Sequence, residues 1–452
     1  MTRLSLAALG NMADSGEITS VIVAGVDMQG KLFGKRIPAK HFVEDAKDGI
    51  HMCALNLAWD VSLNFGAFDF CNWETGAHDM KTVPDLSTLR PYPWSPQTAF
   101  VLADLYDKDG SGISIAPRNM LKAQIAKADS MGFKAFAASE IEFYIFKETA
   151  ESVRVKNYTN LTPLFPYPID YSVFRLTVDH WFLGQLTTNL EAAGVPIEAL
   201  KGEWGNGQIE LNVRYAEALE MADRTAIYKN GIKEMAALNN LMATFMAKQD
   251  TNDSGSSGHT HISLWDREGV YNRLYDPDAE YGLSTNGRYF LGGMLALAPE
   301  MMVFYAPYVN SYKRINDFGS GAPNTVSWGI DNRSTSFRFD GKGKSCRFEN
   351  RVPGADANHY LVLTAMLASG LYGIEHKIEI PGPIKGNASG MELPKLPTNL
   401  YDACRLLEKS DTVRELLGSS VVDHYLQAVH LELQEYFSTV TDWERRKYFE
   451  FI

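Results

Sequence analysis

Glu140 and Glu142 stand two residues apart inside SEIEFYIF (139–146), a run whose other members are mostly apolar. Alternate side chains of a β-strand share a face, so in a strand these two carboxylates are neighbours and repel each other. A chain that keeps such a pair in a segment suited to burial needs something to neutralise it. Three more segments raise the same demand. GEWGNGQIELN carries Glu203 and Glu210 around a glycine-rich turn, HTH puts His259 and His261 on one strand face, and CRFENR puts Arg347, Glu349 and Arg351 on another. Carboxylates and a histidine from all four segments cannot share a pocket in ionised form without cations, because burying like charges raises their pKa values and is costly. Two divalent cations with oxygen ligands would resolve the conflict, each taking about three protein groups. A lone ExE or HxH is more often a solvated strand face or a packing feature; the set of four segments is what points to metal.

A second group is cationic. NSYKR carries Lys313 and Arg314, DNRSTSFR carries Arg333 and Arg338, and the Arg347/Arg351 face follows. Guanidinium forks suit carboxylates and transferring phosphoryl groups, so acids for metal and arginines for anions together point to nucleotide chemistry. GKGKS (341–345) lacks the first glycine of a phosphate-binding loop and precedes a strand, so it reads as a turn.

A length of 452 residues predicts two or three domains or one large multi-layer domain. Residues near 19–38 read as a hairpin around MQGK, followed by a loop-rich, proline-containing stretch to about 95 and a strand at TAFVLADLYD. APRNMLKAQIAKADSMG has helical spacing, which sets a boundary near 108–116 and two units, 1–112 and 113–452. Beyond it, strands such as FKAFAASEIEFYIF, GQIELNV and HTHISLW alternate with helices such as RTAIYKNGIKEMAALNNLMATFMAK and HYLVLTAMLASGLYGIEHKI, an α+β pattern with a charged helical tail from about 397.

The net charge of −12 argues against a nucleic-acid partner. Cys53, Cys71, Cys346 and Cys404 form no CxxC pair, so neither a zinc site nor a disulfide framework is indicated, and a reducing compartment fits. MTRLSLAALGNMADSGE reads as a short amphipathic helix rather than a leader, and YFLGGMLALAPEMMVFYAPY, interrupted by Pro299 and Glu300, as buried helix rather than a membrane span. The expectation is a cytoplasmic protein.

SEIEFYIF, EWGNGQIELN, SSGHTHISLW, NSYKR, GAP, DNRSTSFR and CRFENRVPGADAN occur in that order along the chain. In this order they resemble the glutamine synthetases and their γ-glutamyl-amine ligase relatives, from about residue 20 to the end. The resemblance implies a small N-terminal β-grasp-like domain and a large C-terminal catalytic domain whose curved antiparallel sheet is flanked by helices. It also implies a homo-oligomer, a dodecamer of two hexameric rings with active sites between subunits. Carried over by motif, Glu142, Glu203 and Glu210 would hold one Mg²⁺ or Mn²⁺, and Glu140, His259 and Glu349 a second. His261, Ser263, Arg347 and Arg338 would serve ATP, while Arg314, Arg351 and Gly255 would bind L-glutamate. Arg333 and Arg338 would act on the phosphates. The implied reaction makes a γ-glutamyl phosphate, which an unprotonated amine then attacks.

Two departures bear on the amine. Ammonia-using members resemble one another in having a glutamate before the Ala-Pro pair, whereas INDFGSGAP has Gly321 before Ala322 and is one residue longer. The ammonium-binding aspartate of the family also lacks a clear counterpart in GIHMCALNLAWDVS. Losing both negative groups implies an amine larger than ammonia, and LAWDVSLNFGAFDFCNWETGAHDMKTVPDLSTLRPYPW and VTDWERRKYFE resemble ligases that act on ethanolamine, polyamines or other primary amines. Asp317 is the candidate proton acceptor, which keeps an ammonia-using glutamine synthetase as an alternative. A non-catalytic structural relative is the other, opposed by the six retained ligand positions. Trp59, Phe65, Phe68, Phe70 and Trp73 read as packing or a subunit contact rather than an amine pocket.

Overall fold

The hairpin near residues 19–38 forms from β1 (Ser20–Val26) and β2 (Leu32–Pro38), which pair antiparallel. The chain reverses because the Asp27 carboxylate accepts the backbone N–H groups of Gln29 and Lys31, and Gly30 takes φ +80°, a conformation open to a residue without Cβ. The computed structural model describes residues 3–65, 68–316 and 321–452. The stretch up to residue 95, read above as loop-rich, contains β3 (Ile50–Cys53), β4 (Asp79–Pro84) and β5 (Arg90–Pro91). Its prolines misled because Pro84 and Pro91 are the last residues of their strands, where a missing N–H is tolerated. β6 (Thr98–Tyr106) lies inside this sheet, whose order is β2-β1-β6-β4-β3 with β5 also on β6.

The helix Pro117–Ser130, with proline in its first turn, leads into β7 (Phe133–Phe146). The remaining strands are β8 (Ile197–Gly202), β9 (Gln208–Glu217), β10 (Met242–Thr244), β11 (Gly258–Asp266), β12 (Trp328–Ile330), β13 (Phe337–Asp340) and β14 (Arg347–Asn350). They form a second sheet of order β12-β13-β14-β11-β7-β9-β8, with β10 on β7. Its pairs are antiparallel except β12 with β13. Register shifts at Ala137/Ser139 and Ile197/Ala199 bend the strands, and the sheet curves. From Phe133 to Ile141 the odd-numbered residues of β7 are buried and the even-numbered ones are not. The buried face packs on the helices Pro117–Ser130 and Ala218–Leu238.

That second helix ends earlier than its apolar spacing predicts. Asn240 turns left-handed at φ +56°, and Met242–Thr244 becomes β10, paired with Tyr144–Phe146. Pairing with a neighbouring strand outweighs the helix propensity of LMATFMA. The apolar run near 289–308 divides into helices Thr285–Leu297 and Met302–Tyr305, and among the described residues no helix is long and apolar enough to cross a membrane. One large core joins Ala24, Phe100 and Leu102 of the first sheet to Ile141, Phe143 and Leu361, while a smaller one lies beneath the helix Leu6–Ser15. Arg118 crosses the join, donating to Asp85 and Asp104 on one side and Asp223 on the other.

Candidate active site

The even-numbered face of β7 lines a cavity of about 1180 Å³. Strand register assembles its charges in rows. Lys201 on β8 lies opposite Glu210 on β9, which lies opposite Glu142 on β7. Glu140 lies opposite His259 on β11, and Glu349 on β14 lies opposite both His261 and Arg338. Glu203 joins from the turn between β8 and β9. That turn requires glycine twice: Gly207 has φ +81°, and a Cβ at Gly205 would fall 1.9 Å from the Tyr144 hydroxyl. Ligand atoms of Glu142, Glu203 and Glu210 lie within 4.8 Å of one another, and so do those of Glu140, His259 and Glu349.

The two triads differ electrostatically. Burial and the charge of Glu142 push the Glu203 carboxyl up, and burial with Glu140 and Glu142 pushes Glu210 up further. Lys201 only partly offsets this, bonding Glu203 while its ammonium lies 3.4 Å from Asp170 and 4.4 Å from the centre of the Tyr171 ring. Glu142 is fixed by donors: Ser257 gives its N–H at 2.8 Å and its hydroxyl at 2.5 Å, and Gln208 Nε2 donates at 3.1 Å. In the other triad burial also opposes ionisation, but basic neighbours win. His259, His261, Arg351 and a 2.8 Å bond from Arg338 hold Glu349 well below the usual carboxylate range. His261, 3.2 Å from Glu140, helps lower that carboxyl to about 2. Burial, then Arg351, keeps His259 neutral, the form in which imidazole ligates metal.

These shifts predict how a cation would bind. Protonation of Glu203 and Glu210 favours the metal-free fold, a contribution present below their ordinary range near about pH 4.3 and lost as pH rises through their elevated folded values. A cation bound at this triad would have to displace those protons. Mn²⁺ is therefore expected to raise the melting temperature more at about pH 8 than at about pH 5. Equal shifts at both pH values, read by scanning calorimetry, would remove the metal assignment from this triad.

The other residues singled out in the sequence take the following places. Arg333 and Arg338 line the cavity, and Arg338 also bonds Asp331 at 2.6 Å. Arg347 bridges Asp340 at 2.8 Å and His261 Nδ1 at 3.3 Å, and the Ser263 hydroxyl accepts from Trp265 Nε1 at 2.9 Å. Arg351 lines the cavity beside Glu349 and donates to the Arg333 carbonyl at 3.0 Å. Gly255 forms part of the wall. Arg314 is not brought into the cavity lining: it is buried behind Gly255, donating to the Val352 and Arg351 carbonyls, and a Cβ at Gly255 would lie 2.8 Å from its Cγ. Asp317 falls outside the described residues, while Gly321 lines the cavity. Phe68 is buried, and Phe65 and Trp73 pack edge to face at 5.6 Å; neither these nor Trp59 and Phe70 line it.

Sequence reasoning missed Lys201, Gln208, Ser257 and the rim group of Asp170, Tyr171 and Trp204, in which Trp204 Nε1 donates to Asp170 at 2.8 Å. Period two from Glu210 would have picked out Gln208. Nothing local marks Tyr171, which is exposed at the rim with φ +54°, a conformation uncommon for a bulky side chain.

Residues 114–448 match the family described as glutamine synthetase, catalytic domain. The chain is 39% identical to the gamma-glutamylethanolamide synthetase GlnA4 of Streptomyces coelicolor, over 99% of this chain and 96% of that protein. It is 38% identical to a glutamate–isopropylamine ligase of a Pseudomonas species, covering 96% of each. A solved GmaS/ADP complex superposes with a TM-score of 0.85 at 28% identity, over 98% of this chain and 99% of that one. With the family's catalytic domain matched over residues 114–448, and with relatives aligned almost end to end, this chain belongs to the glutamine synthetase family.

Proposed function

We propose that this chain is an ATP-dependent ligase that joins the γ-carboxyl of L-glutamate to a primary amine through a γ-glutamyl phosphate. The observation that carries this reading is the presence, in one arginine-lined cavity, of two ligand triads, each with its atoms within 4.8 Å of one another. Two relatives of near-equal length are named for an ethanolamide product and for isopropylamine, and a solved relative is described with ADP.

Carboxylate oxygens with one imidazole suit Mg²⁺ or Mn²⁺. Such ions, when bound, neutralise the phosphate oxygens and the γ-carboxylate that must approach each other. The chain's own residues do the positioning. Ser257 and Gln208 aim Glu142, Arg338 and Arg351 hold Glu349, and Arg333 presents an exposed cation on the cavity wall for the transferring phosphoryl group. A γ-carboxylate oxygen attacks the terminal phosphorus and ADP leaves; the amine nitrogen then attacks the acyl carbon, the C–O bond breaks and phosphate leaves. The amine proton needs an acceptor, a role we assign to Asp317, the acidic residue four positions before the cavity-lining Gly321 in the sequence.

The same reading includes a homo-oligomer with sites between subunits. Exposed apolar side chains at Val61, Leu63, Phe65 and Trp73 and at Phe449, Phe451 and Ile452 support it as faces for neighbouring copies.

The test is phosphate release with glutamate and ATP held constant across a panel of ammonium, ethanolamine, isopropylamine and polyamines. Turnover is expected to depend on an organic amine. Saturation at low ammonium with no gain from any organic amine would instead establish a glutamine synthetase.

A further inference from the structure

Away from the cavity, two helices near the C-terminus bring a thiol, a carboxylate and an imidazole to one point. Cys404 and Glu408 lie four residues apart on one face of the helix Leu400–Glu408, and His430 reaches them from the helix Ser419–Ser438. Cys404 Sγ is 3.4 Å from His430 Nε2 and 3.8 Å from Glu408 Oε1, and the nitrogen is 2.9 Å from that oxygen. Zinc–ligand bonds of about 2.0–2.3 Å in tetrahedral array place ligand atoms about 3.3–3.6 Å apart. Each of the three observed separations is within about 0.5 Å of that range.

Accessibility fits as well. Cys404 is buried, but the side chains of His430 and Glu408 are 56% and 38% exposed, leaving a route in from solvent and room for a fourth, water ligand. The donor set is also chemically different from the cavity, whose triads contain no sulfur. Sulfur with imidazole selects Zn²⁺ over Mg²⁺.

We propose that Cys404, Glu408 and His430 form a Zn²⁺ site that clamps these two helices together, separate from the oxygen-rich sites of the cavity. Binding releases the thiol proton to solvent. The spacing of cysteines along the sequence carries no sign of it, because only one ligand is a cysteine and the histidine comes from the second helix.

The test uses the full-length chain, stripped of metal and then given excess Mg²⁺ to fill the cavity sites. Titration with Co²⁺ is expected to produce a thiolate-to-cobalt charge-transfer band in the near ultraviolet, saturating near about one equivalent per chain and bleached by Zn²⁺. Cys404→Ser should abolish the band, and His430→Gln, at an exposed position, should weaken cobalt affinity at least about tenfold. Absence of a band in the wild-type chain overturns the proposal, as does an undiminished band in Cys404→Ser. Should Cys404→Ser fail to fold, His430→Gln decides: wild-type affinity in that variant overturns the site.

Discussion

Glu210→Gln and Glu349→Gln are each expected to lower kcat/KM by more than about 100-fold, while moving the stability of the metal-free protein in opposite directions. Both substitutions keep the side-chain volume and remove a charge. At Glu210 that charge faces Glu140, Glu142 and Glu203 with little cationic relief, so removing it relieves repulsion and the melting temperature in chelator near neutral pH should rise. At Glu349 the charge is the partner of the Arg338 and Arg351 guanidinium groups, and its carboxylate is buried. Neutralising it leaves the buried Arg351 without its counter-charge and takes one acid from Arg338, so the melting temperature should fall. A Glu210→Gln protein that is both less stable in chelator and fully active would refute the account of this triad as a site that depends on a cation.

Arg118→Met is expected to cost about 3–5 kcal/mol, because one buried guanidinium serves three aspartates from different parts of the fold. It makes a paired contact to Asp223 at 3.0 Å and 3.0 Å, donates to Asp85 at 2.7 Å and bonds Asp104. Tyr360 donates to Asp223 at 2.6 Å from the helix His359–His376. Asp223 is nearly inaccessible, so without Arg118 its charge is stranded. A melting temperature lower by roughly 5–10 °C is the expected reading, with partial recovery in Arg118→Met combined with Asp223→Asn. A change of less than about 2 °C would mean that this network does not hold the two sheets together.

Much of the site was legible because β-strand geometry is local. Period two put Glu140 with Glu142, His259 with His261, and Arg347 with Glu349 and Arg351 before any partner strand was known. Helix ends and strand ends were less legible. The stop at Asn240 was overridden by spacing alone, and β4 was hidden by a proline that turned out to be its last residue. The burial of Arg314 could not be foreseen, since NSYKR has the same composition whether its arginine enters the cavity or passes behind Gly255.

The sequence by itself determined which chemistry the chain carries: carboxylates and imidazoles in alternation, arginines in separate clusters, and Gly321 rather than a glutamate before the Ala-Pro pair. Those properties follow from residue type and from torsions that each residue sets with its immediate neighbours. Only the tertiary structure decided the register that sets Glu142 against Glu210 and Lys201, the donors that aim Glu142, and the meeting of Cys404 with His430. These are contacts between distant parts of the chain, selected by packing and hydrogen bonding among strands and helices that no local window contains.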